Sequence, residues 1–363
     1  MRILVTGGGG LIGFHIAKYY LSQGHDVIIM DNLERSQLLG HSVTEKRSRY
    51  NLDELHKLGA IDCRNPSGVF PRGESKSVFF CDVSKSTNWD YLSKEHPNID
   101  VIFHMAAQCG VPTSISDPRR DFDINTVGTF NMLEYARNYG SRVCYASSNK
   151  VYPLHTGWFK EGKRWIWSNP DHHRYGFPVT ACDNQGSRTP YGASKFAGDI
   201  LCQEYYHIYG VPTGVFRKSC IYGDRQLSFS EQGWAVWFCI AIVTGKPITV
   251  YGDGCQVRDM LWVEDLVRAY DAFATSDTIN HGVWNTGGGP HFTLSVNEAI
   301  EILSDLIGKK PKVTYEDWRT SDQRVYTSDI RPLKEDLGWE PKVSPMEGLE
   351  KVVRWVMDNE DLF

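Results

Sequence analysis

The sequence predicts a doubly wound α/β fold, a parallel sheet covered by helices on both faces, with a smaller C-terminal α/β lobe. Two observations carry this expectation. Short apolar runs alternate with helical patterns through the first half of the 363-residue chain, and a glycine-rich turn joins the first run to the first helix. In order, "RILVT" reads as a strand, "GLIGFHIAKYYLSQ" as an amphipathic helix ending before Gly24, and "DVIIM" as a second strand. "SVFFCDV" and "DVIFHMAA" follow as strands, then a helix over roughly 121–139, and "RVCYASS" as a buried strand. Later come a helix over 191–209, the strand "TGVFR", and shorter mixed elements.

The rhythm lapses twice. Residues 36–77 are polar and charged and contain "DELHKLG", which reads as a surface insertion with a short helix. Residues 153–189 show no sustained periodicity yet carry Trp158, Phe159, Trp165, Trp167, Tyr175 and Phe177. Loops this long are usually functional or disordered, and the aromatics argue against disorder. A lid that orders over bound substrate is the expectation. Residues 1–215 are expected to form the dinucleotide domain, with 256–272 returning to it, and 216–363 mainly the substrate lobe.

Composition narrows the class. With 41% hydrophobic residues the chain can bury a large core, in more than one compact unit. A net charge of -5 with interspersed signs suggests neither nucleic acid nor a membrane surface as partner. No apolar run approaches a membrane span, and "MRILVTGG" begins a strand, not a signal peptide. Nine scattered cysteines without a C-x-x-C pair argue against zinc or a disulfide framework, so no metal site is expected. Reduced thiols in a cytoplasmic protein are the plain reading.

In "VTGGGGLIG", Gly7, Gly10 and Gly13 lie between strand and helix, and Gly8, Gly10 and Gly13 also satisfy G-x-G-x-x-G. Such glycines permit a tight turn, close approach of a pyrophosphate and close helix packing, while the helix N-terminus supplies N–H donors. Asp31 ends the second strand, where a carboxylate accepts from a ribose diol and repels a 2′-phosphate. The context makes this a Rossmann-type site for NAD in preference to NADP. Asp82 either reaches the adenine edge or caps its own strand.

"TPYGASK" places Tyr191 and Lys195 on one helix face, four residues apart. A phenol normally titrates near ~10, and a neighbouring ammonium favours its ionised form. Ser148, at the end of "RVCYASS", can hold the same substrate hydroxyl from the sheet side. Behind a dinucleotide loop, this set reads as catalytic.

The motifs "TGGGGLIG", "DNL", "HMAAQ", "DINTVGTFNMLEYAR", "SSNKVY", "YGASK", "GDGCQVRDMLWVEDL" and "NTGGG" span nearly the whole chain. Together they resemble the extended short-chain dehydrogenase/reductases of the nucleotide-sugar epimerase and dehydratase group. "SSNKVY", "DRQLSFSEQGWAVWF", "GCQVRD" and "TSDQRVYTSDI" look most like the branch that inverts C2 of CDP-hexoses. Pro153 departs from the glycine that usually follows "VY" there, and the 36–77 insertion has no obvious place in the pattern.

The resemblance implies an NAD site lined by Gly7, Gly10, Leu11, Ile12, Gly13, Asp31, Asn32, Asp82, Val83, Ala106, Ala107, Gln108 and Asn125, with Tyr191 and Lys195 serving both cofactor and catalysis. For the nucleotide sugar it implies Ser148, Asn149, Lys150, Gln226, Gln232, Trp234 and the arginines Arg258, Arg319 and Arg324, whose planar donors suit phosphate oxygens. Trp237 lies in the same stretch; either Trp could instead be core. Relatives that eliminate water carry Asp and Glu after the catalytic hydroxyl, where this chain has Asn149 and Lys150. An amide and an ammonium do not supply that acid/base pair, which leaves oxidation of a hydroxyl and return of the hydride. A UDP-hexose 4-epimerase, a 4,6-dehydratase and a non-catalytic NAD-binding scaffold stay open as alternatives. The resemblance also implies a homodimer or homotetramer, paired through the helices near 121–139 and 191–209.

Overall fold

The computed structural model describes residues 1–34, 36, 42, 45–62, 81–183 and 185–363. Among the described residues, seven strands form the main sheet: β1 (Arg2–Thr6), β2 (Asp26–Met30), β3 (Ile61–Asp62), β4 (Val101–His104), β5 (Arg142–Ser148), β6 (Thr213–Lys218) and β7 (His281–Thr286). Every pairing is parallel, in the order β7-β6-β5-β4-β1-β2-β3. The chain therefore winds outward in both directions from β1 and β4, which opens a crevice at their carboxyl ends.

Side chains alternate between two core layers, as the strand period of two requires. Ile3, Val5, Val27 and Ile29 pack with Phe14, Ile16 and Tyr20 of helix α1 (Leu11–Ser22). Leu4, Ile28 and Met30 pack on the other face with Met132, Leu133 and Ala136 of α2 (Gly128–Tyr139) and with Cys202 and Tyr205 of α3 (Thr189–Tyr209). Burial on both faces explains why these strands read as continuous apolar runs. The expected strand "SVFFCDV" lies largely outside the described residues; among them, β3 is the neighbour of β2.

In the smaller lobe, α4 (Trp234–Thr244) packs through Val236 and Ile240 against Leu303, Leu349 and Val352. Its strands include Val257–Trp262, paired with Cys220–Tyr222, Thr293–Ser295 and Val325–Tyr326. Chain crosses between lobes more than once: α5 (Val263–Ala274) covers the main sheet with Leu266, Tyr270 and Phe273, and β7 closes its edge.

The described parts of the two interruptions hold regular elements. Within 36–77, a helix spans Lys46–Lys57, longer than "DELHKLG" alone suggests. Within 153–189, Trp158–Glu161 and Arg164–Trp167 form a hairpin, followed by a helical turn at Pro170–Tyr175. Trp167 and Phe177 are buried with Val257, Val325 and Tyr326, so the segment is docked on the lobe by its aromatics in this structure. Phe159 is exposed. The expected helix over 121–139 is broken by a π turn at Asp123–Val127 between Pro118–Phe122 and α2. Among the described residues, no helix is long and apolar enough to cross a membrane, and no cluster of side chains suits a metal ion.

Asp199 and Arg217 form an ion pair at 2.9 Å with almost no exposure. Arg217→Met leaves the Asp199 carboxylate buried without its countercharge, and should lower stability by about 3–5 kcal/mol. Urea denaturation checks this; a loss under about 1 kcal/mol, the scale of a surface pair, contradicts it.

Candidate active site

The phosphate loop is built by close approach. Gly7 has φ +71, and a Cβ there would stand 2.8 Å from the Ala106 nitrogen. A Cβ at Gly13 would stand 2.2 Å from the Gly7 carbonyl oxygen. No side chain caps the α1 N-terminus, so the N–H groups of Leu11, Ile12 and Gly13 begin a helix end that suits a pyrophosphate. The Asp31 carboxylate accepts from Gly9 N at 2.8 Å and Leu33 N at 2.7 Å, which fixes it at the end of β2. Asn32 accepts from Glu34 N at 3.1 Å beside it. These residues fit a dinucleotide.

Other cofactor candidates divide by what their side chains already do. Asp82 accepts from both the N–H and the hydroxyl of Ser84 at 2.8 Å, the turn-capping alternative. Val83 is buried against Gly128. Ala106 N donates to Thr6 Oγ1 at 3.1 Å, which seats 106 and Ala107 over the end of β1. Gln108 and Asn125 are locked together: Gln108 N donates to Asn125 Oδ1, and Asn125 Nδ2 to Gln108 O, both at 3.0 Å. Asn125 Nδ2 also reaches Ser194 Oγ at 3.0 Å, and Gln108 Nε2 reaches Asp121 Oδ1 at 3.0 Å. Their side chains brace the floor of the site against α3.

Ser148, Tyr191 and Lys195 converge at the crevice. Ser148 beside the Tyr191 phenol favours its ionisation, but burial first and the Cys109 thiol second push the phenol well above its ordinary range. Lys195 is buried, and its Nζ stands 4.4 Å from the Tyr145 ring centroid. Burial, then Lys218, lower its pKa to about 7. Lys218, at the end of β6, is itself lowered to about 8 by burial. His104 donates or accepts at Thr6 Oγ1, 3.0 Å from its Nδ1, and burial lowers it to about 3, so it is neutral.

Among the residues expected to bind the nucleotide sugar, Gln323 is the hub. Its Oε1 accepts from Lys150 Nζ at 3.2 Å and Asn149 Nδ2 at 3.4 Å. Burial lowers Lys150 to about 8, opposed by Asp322 and assisted by Arg258. Arg258 pairs with Asp322 at 2.9 Å and donates to Gln323 O at 2.6 Å. Arg319 stacks over Tyr251 at 3.9 Å and donates to Ser230 O at 3.4 Å; Arg324 stacks over Trp318 at 3.0 Å. Gln232 Nε2 donates to the Cys109 sulfur beside Tyr191. Gln226 is buried with its Oε1 unpartnered. Trp234 packs edge-on against Phe238, while Trp237 packs on the lobe core.

Sequence reasoning missed Gln323, Lys218 and Cys109. Gln323 sits inside "TSDQRVYTSDI", a segment singled out only as a motif; Lys218 and Cys109 each end or follow a strand beside a residue that was chosen. It gave no role to the helix it expected at "DELHKLG", which spans Lys46–Lys57 and whose Asn51 Nδ2 donates to Gly9 O at 3.0 Å and Arg225 O at 3.2 Å. That amide joins the phosphate loop to the segment carrying Gln226.

The sequence model of the NAD dependent epimerase/dehydratase family matches residues 3–287. The chain belongs to this family. It is accordingly an NAD-dependent enzyme of the epimerase kind. It is 36% identical to the CDP-paratose 2-epimerase of Salmonella typhi, over 98% of this chain and 99% of that protein. It is 31% identical to the UDP-glucuronate 4-epimerase of Thermodesulfobacterium geofontis, over 99% and 97%. Among solved structures, the UDP-glucose 4-epimerase of Thermotoga maritima with UDP-glucose matches 99% of this chain and 100% of its own, with TM-score 0.78 and 27% identity.

The family enzyme should select NAD through Asp31, since a 2′-phosphate would face a second negative charge. Like-charge juxtaposition costs several kcal/mol, so NADP should bind at least about 100-fold more weakly. Titration of nucleotide-free protein with each dinucleotide checks this, and equal affinities contradict it.

Proposed function

We propose that this enzyme inverts C2 of a CDP-linked hexose, of the CDP-paratose to CDP-tyvelose type, by transient oxidation and hydride return. The observation that carries the reading is the Asn149–Lys150 pair tied to Gln323, where elimination would need a carboxylic acid and a carboxylate. The 36% identity with a CDP-paratose 2-epimerase supports the choice of C2 and of the base.

Bound NAD supplies a reversible hydride acceptor; Gly7 to Gly13 and Asp31 would hold it. Ser148 and Tyr191 close on the reacting hydroxyl, Ser148 positioning the oxygen and Tyr191 accepting its proton. With the cofactor as hydride acceptor, loss of the hydroxyl proton to Tyr191 would leave a 2-keto sugar. Tyr191 returns the proton when hydride comes back to the opposite face of the ketone. Lys195 supplies positive charge under the pair and Arg258, Arg319 and Arg324 hold the diphosphate. The crevice between sheet and lobe gives the nucleotide sugar its place.

A second reading is C4 inversion of a UDP-hexose, which the same Ser148, Tyr191 and Lys195 would serve. The UDP-glucuronate 4-epimerase relative favours it. Product NMR after incubation with CDP- and UDP-hexoses separates the two: inversion at C2 of CDP-sugars is expected, and turnover confined to UDP-hexoses at C4 overturns the first.

Exposed Phe130 and Tyr139 on α2, with Ile200, Ile208 and Tyr209 on α3, support pairing of two copies through these helices. The described cysteines are free thiols, which supports a reducing, cytoplasmic setting.

Tyr191→Phe should still bind NAD yet lose turnover by about 10²–10⁴-fold or more, because the proton acceptor is gone. Near-normal turnover removes Tyr191 from the mechanism. Run in D2O, the wild-type reaction should leave hydrogen at the inverted carbon, since it departs and returns as hydride. C2 of the sugar has no adjacent carbonyl to make its hydrogen acidic. Substantial solvent deuterium at that carbon in the product contradicts hydride return.

A further inference from the structure

The carboxyl ends of the three central strands are level. Thr6 of β1 is in register with Met30 of β2 on one side and with His104 of β4 on the other. The phosphate loop leaves the middle strand, so the chain beyond β2 and the chain beyond β4 flank it. Neighbouring strands lie ~4.8 Å apart, which puts about 10 Å between the two flanks. An ion pair spans that gap. Arg120 Nη2, from the helical turn Pro118–Phe122 after β4, stands 2.5 Å from Glu34 Oε1, in the segment after β2.

Both ends of this pair are anchored. Glu34 N donates to Asn32 Oδ1 at 3.1 Å, and Glu34 Oε2 accepts from Asn32 Nδ2 at 3.4 Å, beside the fixed Asp31. Arg120 N donates to Asp117 Oδ1 at 3.1 Å, and the next residue, Asp121, is fully buried and bonded to Gln108 and Ser194. The pair itself is more accessible, with the Arg120 and Glu34 side chains 22% and 32% exposed. A pair so accessible contributes little to stability, so the needs of the fold do not account for it. Arg120 Nε is nonetheless shielded from solvent and has no hydrogen-bond partner. The loop between the flanks, "GGGGLIG", offers N–H groups and no cationic side chain. A guanidinium with a spare donor suits a pyrophosphate there.

We propose that Glu34 and Arg120 are further residues of the cofactor site, forming a clasp across the bound dinucleotide that opens for NAD to enter or leave. The proposal rests on the placement of NAD over the Gly7–Gly13 loop and does not depend on which sugar is turned over. A clasp has a use in an enzyme that returns the hydride it takes. Loss of the cofactor between the two half-reactions would strand the sugar as a ketone. The sign of the effect separates a clasp from a bare charge. A carboxylate near a pyrophosphate repels it, so as a charge alone Glu34 would loosen NAD, and its neutralisation would slow release. As the far end of a clasp it retains NAD, and its neutralisation speeds release.

The test follows cofactor exchange and needs no sugar. Protein loaded with radiolabelled NAD is mixed with excess unlabelled NAD, and the label that stays bound is followed with time. Glu34→Gln should release NAD at least about tenfold faster than the wild type, for the loss of one charge-assisted bond. Arg120→Gln should release it at least as fast, since the spare donor goes with the pair. The double variant should match Arg120→Gln, because a clasp already open gains nothing from losing its second half. Glu34→Asp keeps the charge but shortens the reach, so it too should release NAD faster, and it serves if Glu34→Gln does not fold. Unchanged or slower release in Glu34→Gln, or in Glu34→Asp in its place, overturns the proposal. So does a double variant whose rate is the product of the two single effects, since the residues then act apart. Failure of the cofactor placement would show differently, as equal affinities for NAD and NADP.

Discussion

The active site hangs on a carboxylate with no exposure. Asp199, in the middle of α3, accepts from Arg217 Nε at 2.9 Å and Nη2 at 3.0 Å, from Ser147 Oγ at 2.7 Å and from Gln203 Nε2 at 2.8 Å. Arg217 Nη1 goes on to Val179 O at 3.0 Å and Tyr152 Oη at 3.3 Å, and the Tyr152 hydroxyl donates to Asn285 Oδ1 at 2.5 Å. One buried network thus clamps α3, the ends of β5, β6 and β7, and the aromatic segment. The candidate site residues are its immediate neighbours: Ser148 follows Ser147, and Lys195 lies one helical turn before Asp199. A buried ion pair is weak support for stability as such, but a charged pair fully supplied with hydrogen bonds has few alternative arrangements. Its geometry is what the catalytic residues inherit.

Around that clamp the protein concentrates cations, at the place where the proposed chemistry would make anions. Lys195, Lys218 and Lys150 are all depressed by burial, while the phenol of Tyr191 is raised by it. Both shifts have one cause, the expense of holding charge in a dry crevice, and both are eased when a negative oxygen appears among the ammonium groups. The smaller lobe follows the same logic at longer range, with Arg258 paired to Asp322 and the other two arginines stacked on aromatic rings rather than extended into water.

Much of this was legible in the sequence because the chemistry is local there. The phosphate loop needs glycines at fixed spacing between strand and helix, and Tyr191 and Lys195 need one helical turn, so both can be read without knowing the fold. Gln323 could not be found that way. Its partners Asn149 and Lys150 are more than 170 residues distant, and a glutamine in a polar segment carries no pattern. The helix at Lys46–Lys57 shows the same limit: its apolar spacing is visible, but that Asn51 bridges the Gly9 and Arg225 carbonyls depends on tertiary placement. The aromatic segment was misread as irregular because a hairpin of four-residue strands is too short to establish a period.

The π turn at Asp123–Val127 sets the phase between two jobs done by one stretch of helix. Upstream of its end, Asn125 must face inward to hold Gln108; downstream, Phe130 and Tyr139 lie on the exposed side. Each residue of an α-helix advances the direction of its side chain by ~100°, so the one surplus residue of a π turn rotates everything after it by that angle relative to everything before it. Deleting a single residue there would remove the surplus residue of the π turn, leaving the inner latch and outer ridge dialled to incompatible bearings. Cofactor floor and outer face are thus geared to each other through a wider turn of backbone, and a sequence gap of one position in a relative marks a change of gearing rather than a trimmed loop.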